Sequence, residues 1–277
     1  AEKLREMSSL VHGSTMKHIT KKYFDRIEIQ LPPLESQKKI ATALDSANAL
    51  IEKRKEQIEK LDLLIKSQFI EMFGDPVTNP KGWSVNSLAQ HLKVIGGYTF
   101  KSTGYTMTGI PVLRIGNINT GTLTLNDLVY WTYTESLERY FIYPGDLVMS
   151  LTGTVGKDDY ANVCVLPAFF DRYYLNQRNA KLNIFGDLSN MYLLYLLRNK
   201  EIKKKLTGIS RGIRQANISN SDILSLNVPI PPLSLQNQFA EFVEKVEAQK
   251  ALLQKSLADM EQNYQSLLQK CFKGEIF

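Results

Sequence analysis

LPPLESQ (residues 31–37) and IPPLSLQ (residues 230–236) are nearly the same seven residues written twice, 199 positions apart. The offset carries further upstream: Gly13 falls on Gly212, Ile19 on Ile218, Thr20 on Ser219, Phe24 on Ile223, Ile27 on Leu226 and Ile29 on Val228. Apolar alternation at Ile27, Ile29 and Leu31, and again at Leu226, Val228 and Ile230, predicts one short strand per copy. The double proline ends that strand because proline has no N–H for a ladder. Glu35 and Ser234, one residue after each Pro-Pro-Leu, suit the start of a helix.

Downstream of each start runs a heptad. In the first copy the apolar seam steps through Ile40, Leu44, Ala47, Ile51, Arg54, Ile58, Leu61, Ile65, Gln68 and Met72. In the second it steps through Phe239, Val243, Val246, Lys250, Leu253, Leu257, Met260, Tyr264, Leu267 and Cys271, each 199 residues after its counterpart. A period of about 3.5 residues held this long predicts a coiled-coil seam. The polar members Arg54, Gln68 and Lys250 face apolar residues in the other copy, a pattern that can fix register and partner choice. The 40–72 seam corresponds to roughly 50 Å of helix. Two bundle helices alone would not explain why strand, Pro-Pro and heptad recur at one offset; duplication does.

Composition sets the outer bounds. At 277 residues, with 43% hydrophobic and 22% charged side chains, the chain is long enough for one large or two ordinary globular domains. No run approaches 18 consecutive apolar residues, so a membrane span is excluded. AEKLREMSSL at the start has no apolar region of a signal peptide. Two separated cysteines, Cys164 and Cys271, suit a reducing cytoplasm. The net charge of +6 is localised: residues 80–222 carry 16 Lys/Arg against 10 Asp/Glu, whereas residues 35–72 balance at 7 against 7. The excess is densest in RNKEIKKKLTGISRGIR (198–214), with seven bases and one acid. Such a cluster fits a polyanion partner or, more simply, a solvated helix face.

Between the helices, Gly74, Pro76 and Pro80 break the first, and short strands and turns follow: KVIGGYTFK, GIPVLRIGNI, GTLTL, DLVYW, PGDLVMSLTGTVGK and ANVCVL. Recurrent turn residues with Thr, Tyr and Val enrichment predict a β-rich domain, followed by one helix at about 188–206. The fold class expected is therefore α+β, a β-rich domain with two long coiled-coil helices. Polar and basic residues crowd its loops at Thr99 and Lys101, at Arg114 and Asn117, at Thr154 and Lys157, and at Arg172, Tyr173, Asn176, Gln177 and Arg178. Arg211, Arg214 and Gln215 follow in the Gly-punctuated loop before the second copy. Arg, Asn and Gln suit base edges, and Lys and Thr suit phosphates. Each alone is an ordinary loop residue; their concentration in one net-positive domain is the signal.

Catalytic patterns are missing. MSLTGTVGK (149–157) fails as a phosphate-binding loop, because Leu151 stands at the first glycine position and Asp158 where Ser or Thr is needed. His12, His18 and His91 form no metal-ligand spacing with the cysteines, and no nucleophile elbow is present. No catalytic residue, cofactor or metal is expected.

The layout resembles the specificity (S) subunit of type I restriction-modification enzymes. The resemblance rests on GWSVNSLAQ (82–90), IGGYTFKS (95–102), GIPVLRIGNI (109–118), YPGDLVMSLTGTVGK (143–157), LNQ (175–177) and RGIRQANIS through IPPLSLQ (211–236). It implies two target-recognition domains, each followed by a long helix, the helices packing antiparallel as a spacer and each domain reading half of a split DNA site. Here one complete domain accompanies two helices, so the chain is the C-terminal portion of such a subunit or a half-sized one. The division expected is 1–34 as the tail of a recognition-domain repeat, 35–73 as the first helix, 74–233 as the DNA-binding domain and 234–277 as the second helix. The resemblance implies a non-catalytic DNA reader that binds double-stranded DNA, docks methyltransferase (M) subunits, and through them an endonuclease/translocase (R) subunit. A second copy or another S fragment would supply the other half-site. Rival readings are a fusion with its own methyltransferase or nuclease activity, and a structural coiled-coil protein whose β-rich domain binds protein or carbohydrate.

Overall fold

The computed structural model describes Lys21, residues 31–208 and residues 215–276, without the side chain of Gln215. Residues 27–30 of the strand expected in the first copy, most of the 1–34 tail, and Arg211 and Arg214 lie outside the described residues. The architecture is mixed helix and sheet with a long helix at each end, as the sequence predicts. Residues 57–253 form one compact unit, and residues 1–56 with 254–277 the other.

The long helices are α1 (Leu34–Phe73) and, last in the chain, α5 (Leu233–Phe272), each of 40 residues. Both of their ends are therefore related by the repeat offset of 199. Every seam position from 40 to 72 and from 239 to 271 is buried or half-buried, while Leu50, Leu63 and Leu252 between them stay exposed. Within the unit 57–253, Asp62 pairs with Lys250, and the rings of Phe69 and Phe73 lie 5.5 and 5.4 Å from that of Phe239. Rising numbers on one helix meet falling numbers on the other, so the helices run antiparallel there. The polar seam residue Lys250 finds its counter-charge across the helix pair, which a slip by one turn would break. In the other unit Lys55 reaches Glu261 at 3.7 Å.

The β-rich part of the larger unit holds two four-stranded sheets. The first has the order β2 (Leu92–Gly96), β10 (Asn179–Ile184), β6 (Leu147–Ser150), β8 (Val163–Val165), antiparallel throughout. The second has the order β4 (Val129–Trp131), β3 (Ile110–Leu113), β9 (Tyr173–Leu175), β5 (Phe141–Ile142), with only β3 and β9 parallel. Strand β6 links the two cores by its period of two: Leu147 and Met149 face one cluster and Val148 faces the other. The larger cluster takes in Phe69, Phe73 and Phe239 of the long helices, and Tyr192 and Leu196 of α2 (Asn190–Arg198).

Short two-stranded ladders complete the unit. β1 (Ser84–Ser87) pairs with β12 (Asn227–Ile230), and β7 (Thr152–Thr154) with β11 (Gln215–Asn217). The predicted second-copy strand is thus present, and Pro231-Pro232 separates it from α5. Two sequence expectations are corrected. The single helix at 188–206 is two, α2 and α3 (Lys200–Thr207), because Asn199 leaves helical geometry and its side chain caps Glu201 and Ile202. A small helix, α4 (Asn220–Leu224), precedes β12. GTLTL (121–125) forms no strand; its carbonyls are held instead by a side chain, as follows.

Candidate nucleic-acid interface

Two adjoining clefts open on the β-rich unit. The larger, about 480 Å³, is lined by Phe100, Tyr105, Arg114, Asn176, Gln177 and Arg178 among others. The smaller, about 250 Å³, is lined by Ile115, Asn119, Thr152, Thr154, Asp159 and Arg178. Arg178 and Ile115 border both. Segments 114–117, 152–154 and 176–178, remote in sequence, are brought to one place by the β3–β9 parallel pairing and by β10 lying beside β6.

Two glycines make that approach possible. A Cβ on Gly97 would collide with the backbone carbonyls of Leu175 and Asn176. Its absence lets Tyr98 donate to Leu175 O at 2.9 Å and accept from Gln177 N at 3.0 Å. A Cβ on Gly153 would strike Asp159 and Tyr160. Without it, Asp159 accepts from the Thr154 amide at 2.8 Å and from its hydroxyl at 2.9 Å. The Thr154 amide, helped by that hydroxyl, holds the Asp159 carboxyl below the usual carboxylate range.

The sequence-predicted residues separate into three groups. Arg114, Gln177 and Arg178 line the clefts with solvent access, Thr154 is exposed at the second, and Thr99 donates its hydroxyl to Gln177. Backbone pairing sets Gln215 opposite Thr154. Lys101, Lys157 and Arg172 are exposed but line neither cleft; the Arg172 guanidinium lies 5.1 Å from the Phe141 ring centre.

The third group is buried. Tyr173 is fully buried in β9, and its hydroxyl donates to Pro167 O at 3.2 Å, so it belongs to the core rather than to a contact surface. Asn117, 1% exposed, accepts from Arg114 N at 3.0 Å and donates to Thr124 O and Asn126 O at 3.2 and 3.1 Å. Its amide is consumed by the loop that the sequence assigns to a GTLTL strand. Asn176 is 7% exposed and accepts from Arg178 N at 3.2 Å. Both asparagines shape loops from below. Both also contribute to the wall of the larger cleft.

The basic run beginning at residue 198 is partly tied to the protein. Arg198 donates to Val163 O at 3.2 Å and Gly121 O at 2.6 Å, and Lys203 pairs with Asp158 and donates to Asn162 at 2.6 Å. Lys204 pairs with Glu201 at 2.8 Å. This end of the run therefore packs α2 and α3 against the sheet. Reasoning from sequence missed Tyr105, Asn126 and Asp127 on the cleft wall; polar turn residues carry no periodic signal. Among the described residues no cluster of His, Cys, Asp and Glu is arranged to hold a metal, and no helix is long and apolar enough to cross a membrane.

The type I restriction modification DNA specificity domain family matches residues 1–60 and 80–262. The type I restriction enzyme MjaVIII specificity subunit of Methanocaldococcus jannaschii is 25% identical over 99% of this chain and 68% of its own length. The EcoKI specificity subunit of Escherichia coli is 25% identical over 98% of this chain and 62% of its own. The chain thus spans about two thirds of the length of these curated relatives. Among solved structures, a chain of a type I R-M system assembly aligns with TM-score 0.64 and 20% identity over 98% of this chain and 67% of that one. A type I S subunit from M. genitalium aligns with TM-score 0.58 and 14% identity, over 97% and 69% respectively. The sheets and long helices described above are accordingly the fold of such subunits, and this chain belongs to the type I restriction modification DNA specificity domain family.

Proposed function

We propose that this chain is a sequence-reading, non-catalytic subunit of a type I restriction-modification complex, with residues 74–233 recognising one half of a bipartite site in duplex DNA. The observation that carries the reading is the convergence of Arg114, Gln177, Arg178 and Thr154 on two adjoining clefts. Arginine and glutamine carry the donor and acceptor patterns that read base edges. Lys101 and Lys157 are candidates for phosphate contact, and Arg172, Arg211 and Arg214 are further candidate DNA contacts.

The seams 40–72 and 239–271 act in this reading as the spacer, and their outer faces as the docking surface for methyltransferase subunits, through which an endonuclease subunit joins. The other half-site falls to a second recognition domain, carried by a second copy of the chain or by another S fragment. The exposure of residues whose counterparts in the other copy are buried in the core of the larger unit supports this: Phe272 is 81% exposed, and its first-copy counterpart Phe73 only 3%.

The test is binding of the full chain to a fluorescent duplex pool with a randomised core, followed by selection. Affinity should fall steeply between 50 and 200 mM salt, on the order of tenfold per few phosphate contacts, and selection should return a defined sequence. Salt-independent binding, or retention of every sequence equally, would defeat the reading and favour a protein- or carbohydrate-binding domain on a coiled-coil stalk.

A further inference from the structure

The larger cleft contains an arginine that is held ready by its surroundings. The Arg114 guanidinium lies 5.9 Å from the Tyr105 ring centre, and one terminal nitrogen donates to Asp127 O. Its Nε is buried without a hydrogen-bond partner among the described residues. A guanidinium has five N–H groups; with the Nε–H buried and one terminal N–H given to Asp127, the other three terminal N–H groups remain for something entering the cleft. Arg114 reaches this position through Asn117. The Asn117 carbonyl oxygen takes the Arg114 amide, and its NH2 holds Thr124 O and Asn126 O, the segment that ends in the Asp127 carbonyl gripping the guanidinium. Thr124 N returns a bond to Asn117 O at 2.8 Å. One buried amide therefore fixes both the backbone that carries the arginine and the backbone that aims it.

We infer that Arg114 is a specificity-determining residue that reads a guanine in the major groove, and that Asn117 is a positioning residue acting only through Arg114. The inference rests on the proposed DNA-reading function and narrows it to one base. The terminal N–H pair of an arginine matches the O6 and N7 acceptors of guanine. Pre-fixing the side chain removes rotamer entropy that would otherwise oppose binding. The ring of Tyr105 and the Asp127 carbonyl supply that fixation without using the whole fork.

The experiment selects sequences from the same randomised duplex pool with the full chain and with Arg114→Lys, Arg114→Gln, Asn117→Ala and Arg114→Lys/Asn117→Ala. Wild-type protein should return a site with an invariant guanine. Arg114→Lys and Arg114→Gln should each lower the preference for that guanine about tenfold and leave the other positions unchanged. Asn117→Ala should weaken the same position and no other, and the double variant should be no worse there than Arg114→Lys alone. A merely structural asparagine would weaken all positions together or add its effect to that of the lysine variant. Should Asn117→Ala unfold, which circular dichroism reports, the two Arg114 variants still decide the guanine assignment. A wild-type chain that selects no sequence refutes the function itself and this inference with it. A wild-type chain that selects a sequence left intact by both Arg114 variants refutes the inference alone.

Discussion

Gln37 and Gln236 occupy the same place in the two copies of the repeat and make the same local bond. Gln37 Nε2 donates to Pro32 O at 2.8 Å, and Gln236 Nε2 to Pro231 O, also at 2.8 Å. Around that bond everything differs. Gln37 is exposed, whereas Gln236 is fully buried, donates also to Asp187 O at 2.8 Å, and accepts from Ser189 N at 2.8 Å. Phe73 and Phe272 repeat the contrast. Phe73 packs edge-on against Tyr192 with ring centres 4.8 Å apart, and Phe272 is open to solvent. Duplicated sequence thus yields duplicated local structure, but burial follows position. Because the helices run antiparallel in the larger unit, its core takes the C-terminal turns of α1 and the N-terminal turns of α5. In the other unit the corresponding repeat positions, Gln37 and Phe272, are exposed.

The sharpest way to break this contrast is to truncate the phenylalanines. Phe73→Ala should cost about 3–5 kcal/mol by urea unfolding, since it empties an aromatic site shared with Phe69, Tyr192 and Phe239. Phe272→Ala should change stability by less than about 0.5 kcal/mol. Equal losses would mean that the copies are energetically equivalent after all. The glutamines give a smaller test of the same kind. Gln236→Ala leaves Ser189 N and Asp187 O without their partner and should cost about 1–3 kcal/mol, while Gln37→Ala should cost a few tenths at most. The smallest effect is expected where the copies differ by charge. Lys250 occupies the position of Ile51 and pairs with Asp62, itself 47% exposed. Lys250→Ile, which makes the two copies alike there, should alter stability by less than about 1 kcal/mol but abolish the salt dependence that this pair contributes. A large loss would show that the ion pair sets helix register, not merely decorates it.

Much of the fold is legible in the sequence. The repeat gives both long helices, the strand before the second and its Pro-Pro end, because those features depend on local backbone chemistry and on a period that any aqueous helix must bury. The interface is only partly legible. Of the residues picked by type, Arg114, Gln177, Arg178 and Thr154 line the clefts, but the same logic also picks Tyr173, which the core buries. Nothing in a run such as FFDRYYLNQR distinguishes a loop from a strand whose neighbours β3 and β5 come from 60 and 30 residues away in order of chain. An asparagine that reads a base and one that holds a turn carry the same functional group.

What the sequence alone determined is therefore the repeated scaffold: two equal helices with matched seams, a β-rich insertion between them, and membership of a family of DNA specificity subunits. Only the tertiary structure decided which of the polar side chains are free to act. That decision rests on non-local strand pairing, on glycines at 97 and 153 that let backbones meet, and on buried amides that must spend their hydrogen bonds inside the protein because no water reaches them.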